Sequence, residues 1–303
     1  MIKTNFLTGE QVIFATSREK RGQNNNNNLN NNIIIDNTIN CPFCMKNVHM
    51  LTEPVYTSFN NEIRVIYNKY PIAKHNPLGE HFVVIDALEH NNNIISYSKE
   101  HLYYLVKCVQ DMILLLSKNS LLKSVQVFKN HGFKAGATQE HSHWQILALG
   151  VETSKEIKIK NAFSEYYNKN NSCYLCDIIK NKINIITQND YFIAFCMEDY
   201  LFPNTITIAP ISHVTSFNYL NDNILEELGL ILQDCIKRLS LLISNLNYNI
   251  CLYTSLEEKT GYHFFIEIIP RVGNFAGFEF LAGMYVNSVL PKDSAKALRE
   301  III

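Results

Sequence analysis

Two histidines two residues apart, His141 and His143, stand beside Gln145 in the segment His-Ser-His-Trp-Gln, and the apolar run Ile146-Leu147-Ala148-Leu149 follows at once. Alternate residues of a strand share a face. His141, His143 and Gln145 are therefore expected on one side, with Ser142 and Trp144 on the other. Neutral imidazole is nucleophilic near pH 7, and a histidine beside a loop of small residues could attack a phosphorus atom. Such a loop precedes the pair: residues 132–138 read Gly-Phe-Lys-Ala-Gly-Ala-Thr. A lone strand histidine is more often a packed residue than a catalyst, so the weight of the pair depends on what accompanies it.

Two Cys-x-x-Cys pairs accompany it, Cys41-Pro42-Phe43-Cys44 and Cys173-Tyr174-Leu175-Cys176. Redox motifs share that spacing, but each pair here is followed by two histidines at matched distances. From the second cysteine to the next key histidine (His90, His213) is 46 residues in one half and 37 in the other. From there to the strand histidine (His141, His263) is 51 and 50. Cys41, Cys44, His90 and His141 form one Cys2His2 set, and Cys173, Cys176, His213 and His263 a second. Both suit tetrahedral Zn2+. Four-ligand sites are closed and structural, so zinc would clamp the cysteine loop to the strand bearing His143 without activating water. The other cysteines (Cys108, Cys196, Cys235, Cys251) lie in apolar stretches and read as small buried hydrophobes.

The elements that must position these residues also repeat. Val83-Val84-Ile85-Asp86-Ala87-Leu88-Glu89-His90 matches Ile206-Thr207-Ile208-Ala209-Pro210-Ile211-Ser212-His213. In both copies the histidine follows a strand and precedes an amphipathic helix, over residues 99–118 and 223–244. Strands are expected at 12–15, 63–67, 82–86, 125–128, 145–149, 191–195, 205–209, 250–253 and 263–269. The fold class is α+β, a duplication into two similar domains, 1–150 and 173–303, with the polar residues 151–172 as a linker. Residues 24–32, asparagine but for Leu29, cannot bury a core and read as a disordered surface loop that sets Arg18 and Arg21 apart from the first cysteine pair.

A chain of 303 residues with 47% apolar content can bury a good core. Its net charge of −1 gives no bulk field for nucleic acid or an anionic membrane, so phosphate recognition must be local. The N-terminus lacks the apolar stretch of a signal peptide, no run suits a membrane helix, and the cysteine usage is not that of a disulfide framework. The expected setting is the cytoplasm.

These motifs together resemble the galactose-1-phosphate uridylyltransferase family of the histidine-triad (HIT-like) superfamily, in a divergent bacterial branch. The resemblance runs over nearly the whole chain. It includes Arg18-Glu19-Lys20-Arg21, the first cysteine pair, Asn68-Lys69-Tyr70-Pro71, Glu89-His90 and residues 130–145. It continues through Tyr262-His263-Phe264-Phe265-Ile266-Glu267 and Ala276-Gly277-Phe278-Glu279 to Ala297-Leu298-Arg299. It implies tandem HIT-like domains, each an antiparallel sheet with a packed helix, and a ping-pong transfer of a nucleoside monophosphate from a nucleotide sugar to a sugar phosphate. His143 would be the nucleophile, His141 a metal ligand and Gln145 a partner of the phosphoryl group. Gly136, Ala137 and Thr138 would offer donors to the non-bridging oxygens. The resemblance also places Asn130 near the phosphates, Asn68 on the nucleotide, Arg18 and Arg21 near the diphosphate, and Glu279 on a hexose hydroxyl. It further implies a homodimer in which one subunit completes the other's site.

The departures carry information too. Opposite His141, His143 and Gln145 the second copy has His263, Phe265 and Glu267, and a phenylalanine cannot attack phosphorus, so the second half is expected to be catalytically silent. Glu140, Trp144, Tyr285 and Val286 also differ from the family pattern, which weakens any assignment of galactose. Two further readings stay open: a nucleotide-sugar or dinucleoside-polyphosphate hydrolase or phosphorylase, and a zinc-stabilised nucleotide-binding protein without turnover.

Overall fold

The computed structural model describes residues 2–15, 18, 40–73 and 79–303. Arg21 and the asparagine run lie outside them. A small hairpin, β1 (Ile2–Thr4) with β2 (Gln11–Ile13), opens the chain. The first half then supplies β3 (Tyr56–Ser58), β4 (Ile63–Tyr67), β5 (Gly79–Ile85), α1 (Lys99–Ser117), β6 (Ser124–His131) and β7 (His143–Leu149). The second supplies β8 (Ile185–Gln188), β9 (Phe192–Phe195), β10 (Ile206–Pro210), α4 (Asp222–Leu242), β11 (Tyr248–Tyr253) and β12 (Phe265–Pro270).

These ten strands, β3 to β12, form one antiparallel sheet in the order β3-β4-β5-β7-β6-β11-β12-β10-β9-β8. Read inward from either edge, the elements come in the same order, so the sheet has a local two-fold axis. Register places the axis. Phe128 lies opposite Gln145 on β7, Cys251 lies opposite Glu267 on β12, and Phe128 pairs with Cys251 across the seam. Equivalent residues thus face one another where the halves join.

α1 and α4 cover one face of the sheet, because both carry an apolar stripe at helical spacing. Ser98 and Asn221 cap them, accepting from the backbone N–H of His101 and Ile224. The helices cross at Gly229, where a Cβ would come within 2.8 Å of Leu102 Cβ. The halves are tied twice more by equivalent glutamines. Gln110 of α1 donates to the carbonyls of Phe217 and Leu220, and Gln233 of α4 to those of Ile94 and Tyr97.

Residues 151–172, read as a linker from their polarity, contain the helix α2 (Ser154–Asn170), capped by Thr153 and followed by α3 (Tyr174–Lys180). Phe163 is the single buried residue of α2, so the segment lacks the apolar stripe that marks α1 and α4. α5 (Gly277–Ala282) and α6 (Pro291–Arg299) complete the second half. No helix among the described residues is long and apolar enough to cross a membrane.

Candidate active site and metal centres

Strand β7 begins at His143, so His141 belongs to the bend before it and its direction is set by the loop, not by strand alternation. Its Nε2 lies 2.8 Å from the Ala87 carbonyl, which holds a proton on Nε2 and leaves the Nδ1 lone pair free. That Nδ1 faces Cys41 Sγ at 3.7 Å and Cys44 Sγ at 3.6 Å, and His90 Nδ1 lies 3.4 Å from Cys44 Sγ. Sulfur and nitrogen donors of one tetrahedral zinc ion stand roughly 3.6 Å apart, given the usual bond lengths. The residues therefore fit the ion.

The second set repeats this arrangement. His263 Nε2 is 3.1 Å from the Pro210 carbonyl, and its Nδ1 is 3.6 Å from both Cys173 Sγ and Cys176 Sγ. His213 Nδ1 lies 3.5 Å from Cys176 Sγ. In each set the four donor atoms lie within 4.8 Å of one another, so each could hold a metal ion.

His143 is buried at the start of β7, its ring centroid 5.3 Å from that of Phe43, which stands inside the first Cys-x-x-Cys loop. Arg64 fixes that loop by donating to the Phe43 carbonyl at 2.8 Å. His143 Nδ1 donates to the His141 carbonyl at 2.9 Å, which leaves Nε2 unprotonated. Burial is the main cause that lowers the His143 pKa to about 4, assisted by the Lys129 ammonium and opposed by the His141 carbonyl and Asp86. The imidazole is neutral at pH 7.

Gln145 shares the face of His143. His81 on β5 accepts a hydrogen bond from the Ile72 N–H on its Nδ1, so its own Nε2–H donates to Gln145 Oε1 at 3.1 Å. The amide NH2 of Gln145 is thereby oriented as a donor. His81 escaped the sequence reading because it looks like any polar residue of an alternating strand.

The small-residue loop is held partly by the second half. Gly132 and Gly136 both have φ near +80°, a conformation that favours glycine. Asn249 of β11 donates to Asn130 Oδ1 at 2.7 Å and to the Ala135 carbonyl at 2.9 Å, while Asn247 Oδ1 accepts from the Lys134 N–H. The expected phosphate donors differ in one respect. The Gly136 and Ala137 N–H groups donate within the loop, to the Phe133 and Gly132 carbonyls. Tight closure of the loop over two positive-φ glycines turns them inward.

Arg18 and Asn68 meet at Tyr70: Arg18 donates to the Tyr70 carbonyl and Asn68 Oδ1 accepts from the Tyr70 N–H, each at 2.8 Å. Glu279 lies in the first turn of α5, its carboxylate accepting from the Ala276 N–H at 2.9 Å. Glu140 is exposed, 3.9 Å from His90 Nε2. Trp144, on the opposite side of β7 from His143, fills the core under α1 and α4. Beneath the strand Lys129 is fully buried, donating to Asp86 at 2.9 Å, to Ser142 Oγ at 2.7 Å and to the His143 carbonyl at 3.2 Å. The sequence shows Asp86 only as the last residue of one expected strand and Lys129 as the residue just after another.

Fold and site together define a duplicated α+β protein with a buried, nucleophile-bearing strand and, among the described residues, two metal-ligand sets. Comparison with known proteins agrees. The family model described as "Domain of unknown function (DUF4931) N-terminal domain" matches residues 23–152. The chain is 26% identical to ADP-glucose phosphorylase of Arabidopsis thaliana, over 97% of this chain and 91% of that protein. It is 22% identical to galactose-1-phosphate uridylyltransferase of Thermotoga maritima, over 99% and 98%. The solved structure of the Arabidopsis thaliana ADP-glucose phosphorylase with bound ADP-glucose superposes with a TM-score of 0.83 at 25% identity, covering all of this chain and 99% of that one. The chain is thus galactose-1-phosphate uridylyltransferase-like over nearly its whole length, a similarity consistent with the HIT-like superfamily.

Proposed function

We propose that the protein is a nucleotidyltransferase that moves a nucleoside monophosphate from a nucleotide sugar to a sugar 1-phosphate. Nε2 of His143 attacks the α-phosphorus, the bond to the bridging oxygen breaks, and a sugar phosphate leaves. A phosphate oxygen of the acceptor then attacks the same phosphorus, the P–N bond breaks, and His143 returns with its lone pair. The carrying observation is the state of His143: buried, neutral, with Nδ1 committed to the His141 carbonyl. Gln145, oriented by His81, would donate to the phosphoryl oxygens, with Thr138 and Asn130 beside it. Arg18, Arg21 and Asn68 would hold the diphosphate and nucleotide. Zinc in the two Cys2His2 sets would supply rigidity, tying Phe43 and the bend at His141 to the nucleophile. A homodimer would bring Glu279 to a partner's sugar; in support, α5 has no buried residue and leaves Phe280 and Leu281 more than three-quarters exposed.

The phosphorylase reading differs only in the acceptor, inorganic phosphate replacing the sugar phosphate. Its specific support is the match to the Arabidopsis thaliana protein named ADP-glucose phosphorylase, over almost the whole chain. Incubation with UDP-glucose or ADP-glucose labelled in the α-phosphate separates the readings. An acid-labile, alkali-stable label that is lost in His143→Ala supports covalent transfer. Discharge by a sugar 1-phosphate supports the first reading, discharge by phosphate or water the second. The absence of label with all common nucleotide sugars would reject both and leave a binding protein.

A further inference from the structure

On the sheet face away from α1 and α4, the second half forms an open pocket of about 630 Å³. Phe265 and Glu267 of β12 and Tyr253 of β11 line its sheet side, and Phe163 and Tyr200 line it from above. Register identifies three of these. Phe265 and Glu267 occupy the positions of His143 and Gln145. Tyr253 occupies that of Asn130, two residues beyond the Phe128–Cys251 pair in the copy. At these positions the copy presents a pocket of different chemistry.

In place of the nucleophile stands an aromatic platform. Phe265 and Tyr253 stack with ring centroids 4.5 Å apart and planes 13° from parallel. In place of an amide stands the Glu267 carboxyl, whose pKa burial raises against the opposing pull of Lys155 and Tyr253. Lys155 Nζ donates to the Tyr253 hydroxyl at 2.7 Å. The Tyr200 hydroxyl is buried in the cavity wall and has no hydrogen-bond partner. A buried hydroxyl without a partner is costly. The volume lies within the ~300–1,000 Å³ range of small-molecule pockets.

We propose that this chamber is a second ligand site, separate from His143, for a flat aromatic molecule carrying an amino group and no phosphate. The ring lies on the Phe265–Tyr253 platform and the amino group donates to Glu267. Two acidic residues, Glu267 and Asp199, line the chamber against one cation, Lys155, so a phosphate group is disfavoured there. The proposal does not depend on catalysis by His143.

The test is calorimetric titration of the full chain with adenosine and with tryptamine as probes, AMP serving as the phosphorylated control. At least one probe is expected to bind saturably, and AMP more weakly than adenosine. Glu267→Leu should weaken binding roughly tenfold or more, the consequence of removing the acceptor for the ligand's amino group. Ala162→Trp, which fills the chamber from the exposed side of α2, should abolish it, and His143→Ala should leave it unchanged. Circular dichroism verifies that each variant folds, and Ala162→Trp carries the test if Glu267→Leu does not fold. No binding of either probe to the wild type would overturn the proposal. So would affinities unchanged by both chamber variants, or binding lost in His143→Ala.

Discussion

Lys129→Met is the most informative single perturbation of the fold beneath the nucleophile. Methionine keeps the length of the side chain and removes the charge. Lys129 Nζ is 2.9 Å from Asp86 Oδ2, and both side chains are at most 1% exposed. At an effective dielectric of about 20, charges this close attract by roughly 6 kcal/mol before desolvation is counted. Burial is the largest single influence on Asp86 and raises its pKa, yet the charge and hydrogen bond of Lys129, joined by Ser142 and His143, together hold the carboxyl below its ordinary value. Burial lowers the Lys129 pKa in turn, against the opposing charge and hydrogen bond of Asp86, and the short contact is that of a buried ion pair. Removing the lysine leaves an uncompensated buried carboxylate and strips the donor from Ser142 Oγ and the His143 carbonyl. The expected loss is about 3–5 kcal/mol, a large share of the ~5–15 kcal/mol typical of a domain. Replacing both partners, Lys129→Met with Asp86→Leu, should recover most of it, because two apolar groups have no charge to desolvate. Urea unfolding of the wild type, the single and the double variant at pH 7 measures the difference. A single variant within about 1 kcal/mol of wild type, or a double variant no better than the single, would refute the reasoning.

Other outcomes follow from the same structure. His131, stacked on Tyr248, has its pKa lowered to about 4, chiefly by burial and then by Lys129, against Asp86. The unfolded state therefore takes up a proton below about pH 6.5 while the folded state does not, so stability is full above that pH and falls as pH drops towards 4. His131→Gln should remove about 2 kcal/mol of the loss between pH 7.5 and 5, as seen in paired urea titrations; equal pH slopes in the two proteins would contradict the assignment. Metal analysis should find two zinc ions per chain, and chelation should lower the thermal midpoint; Cys173→Ser should retain one ion, and a wild type with a single ion would dismiss one set. Gly229→Ala should destabilise by ~1–3 kcal/mol through the clash with Leu102, measurable by denaturant titration.

The duplication, the α+β class and both metal-ligand sets were legible because they rest on spacing, and spacing survives when a chain folds on itself. The two long helices were legible for the same reason. Residues 154–170 were not: their helix presents only Phe163 to the core, so no stripe reveals it. The expectation for His141 had the right destination for an incomplete reason, since a bend and the Ala87 carbonyl aim it, not strand alternation. His81, Asn249 and the Asp86–Lys129 pair were invisible, because each acts on a partner between 43 and 119 residues away. The chamber at Phe265 was read only as a silent copy. A lost nucleophile is visible in a sequence; the cavity that replaces it is not.

The pairing of Phe128 with Cys251 has a consequence for ancestry and for assembly. Two equivalent antiparallel strands meeting at a two-fold axis form the join that two identical subunits would make. Two separate chains would hold that join only above their dissociation constant. Tethering makes the encounter intramolecular, at an effective concentration on the order of millimolar, and insensitive to dilution. Tethering also removes the obligation to be identical. Once each half always has the same partner, one can keep the histidine while the other diverges, and the asymmetry between His143 and Phe265 is the mark of that freedom.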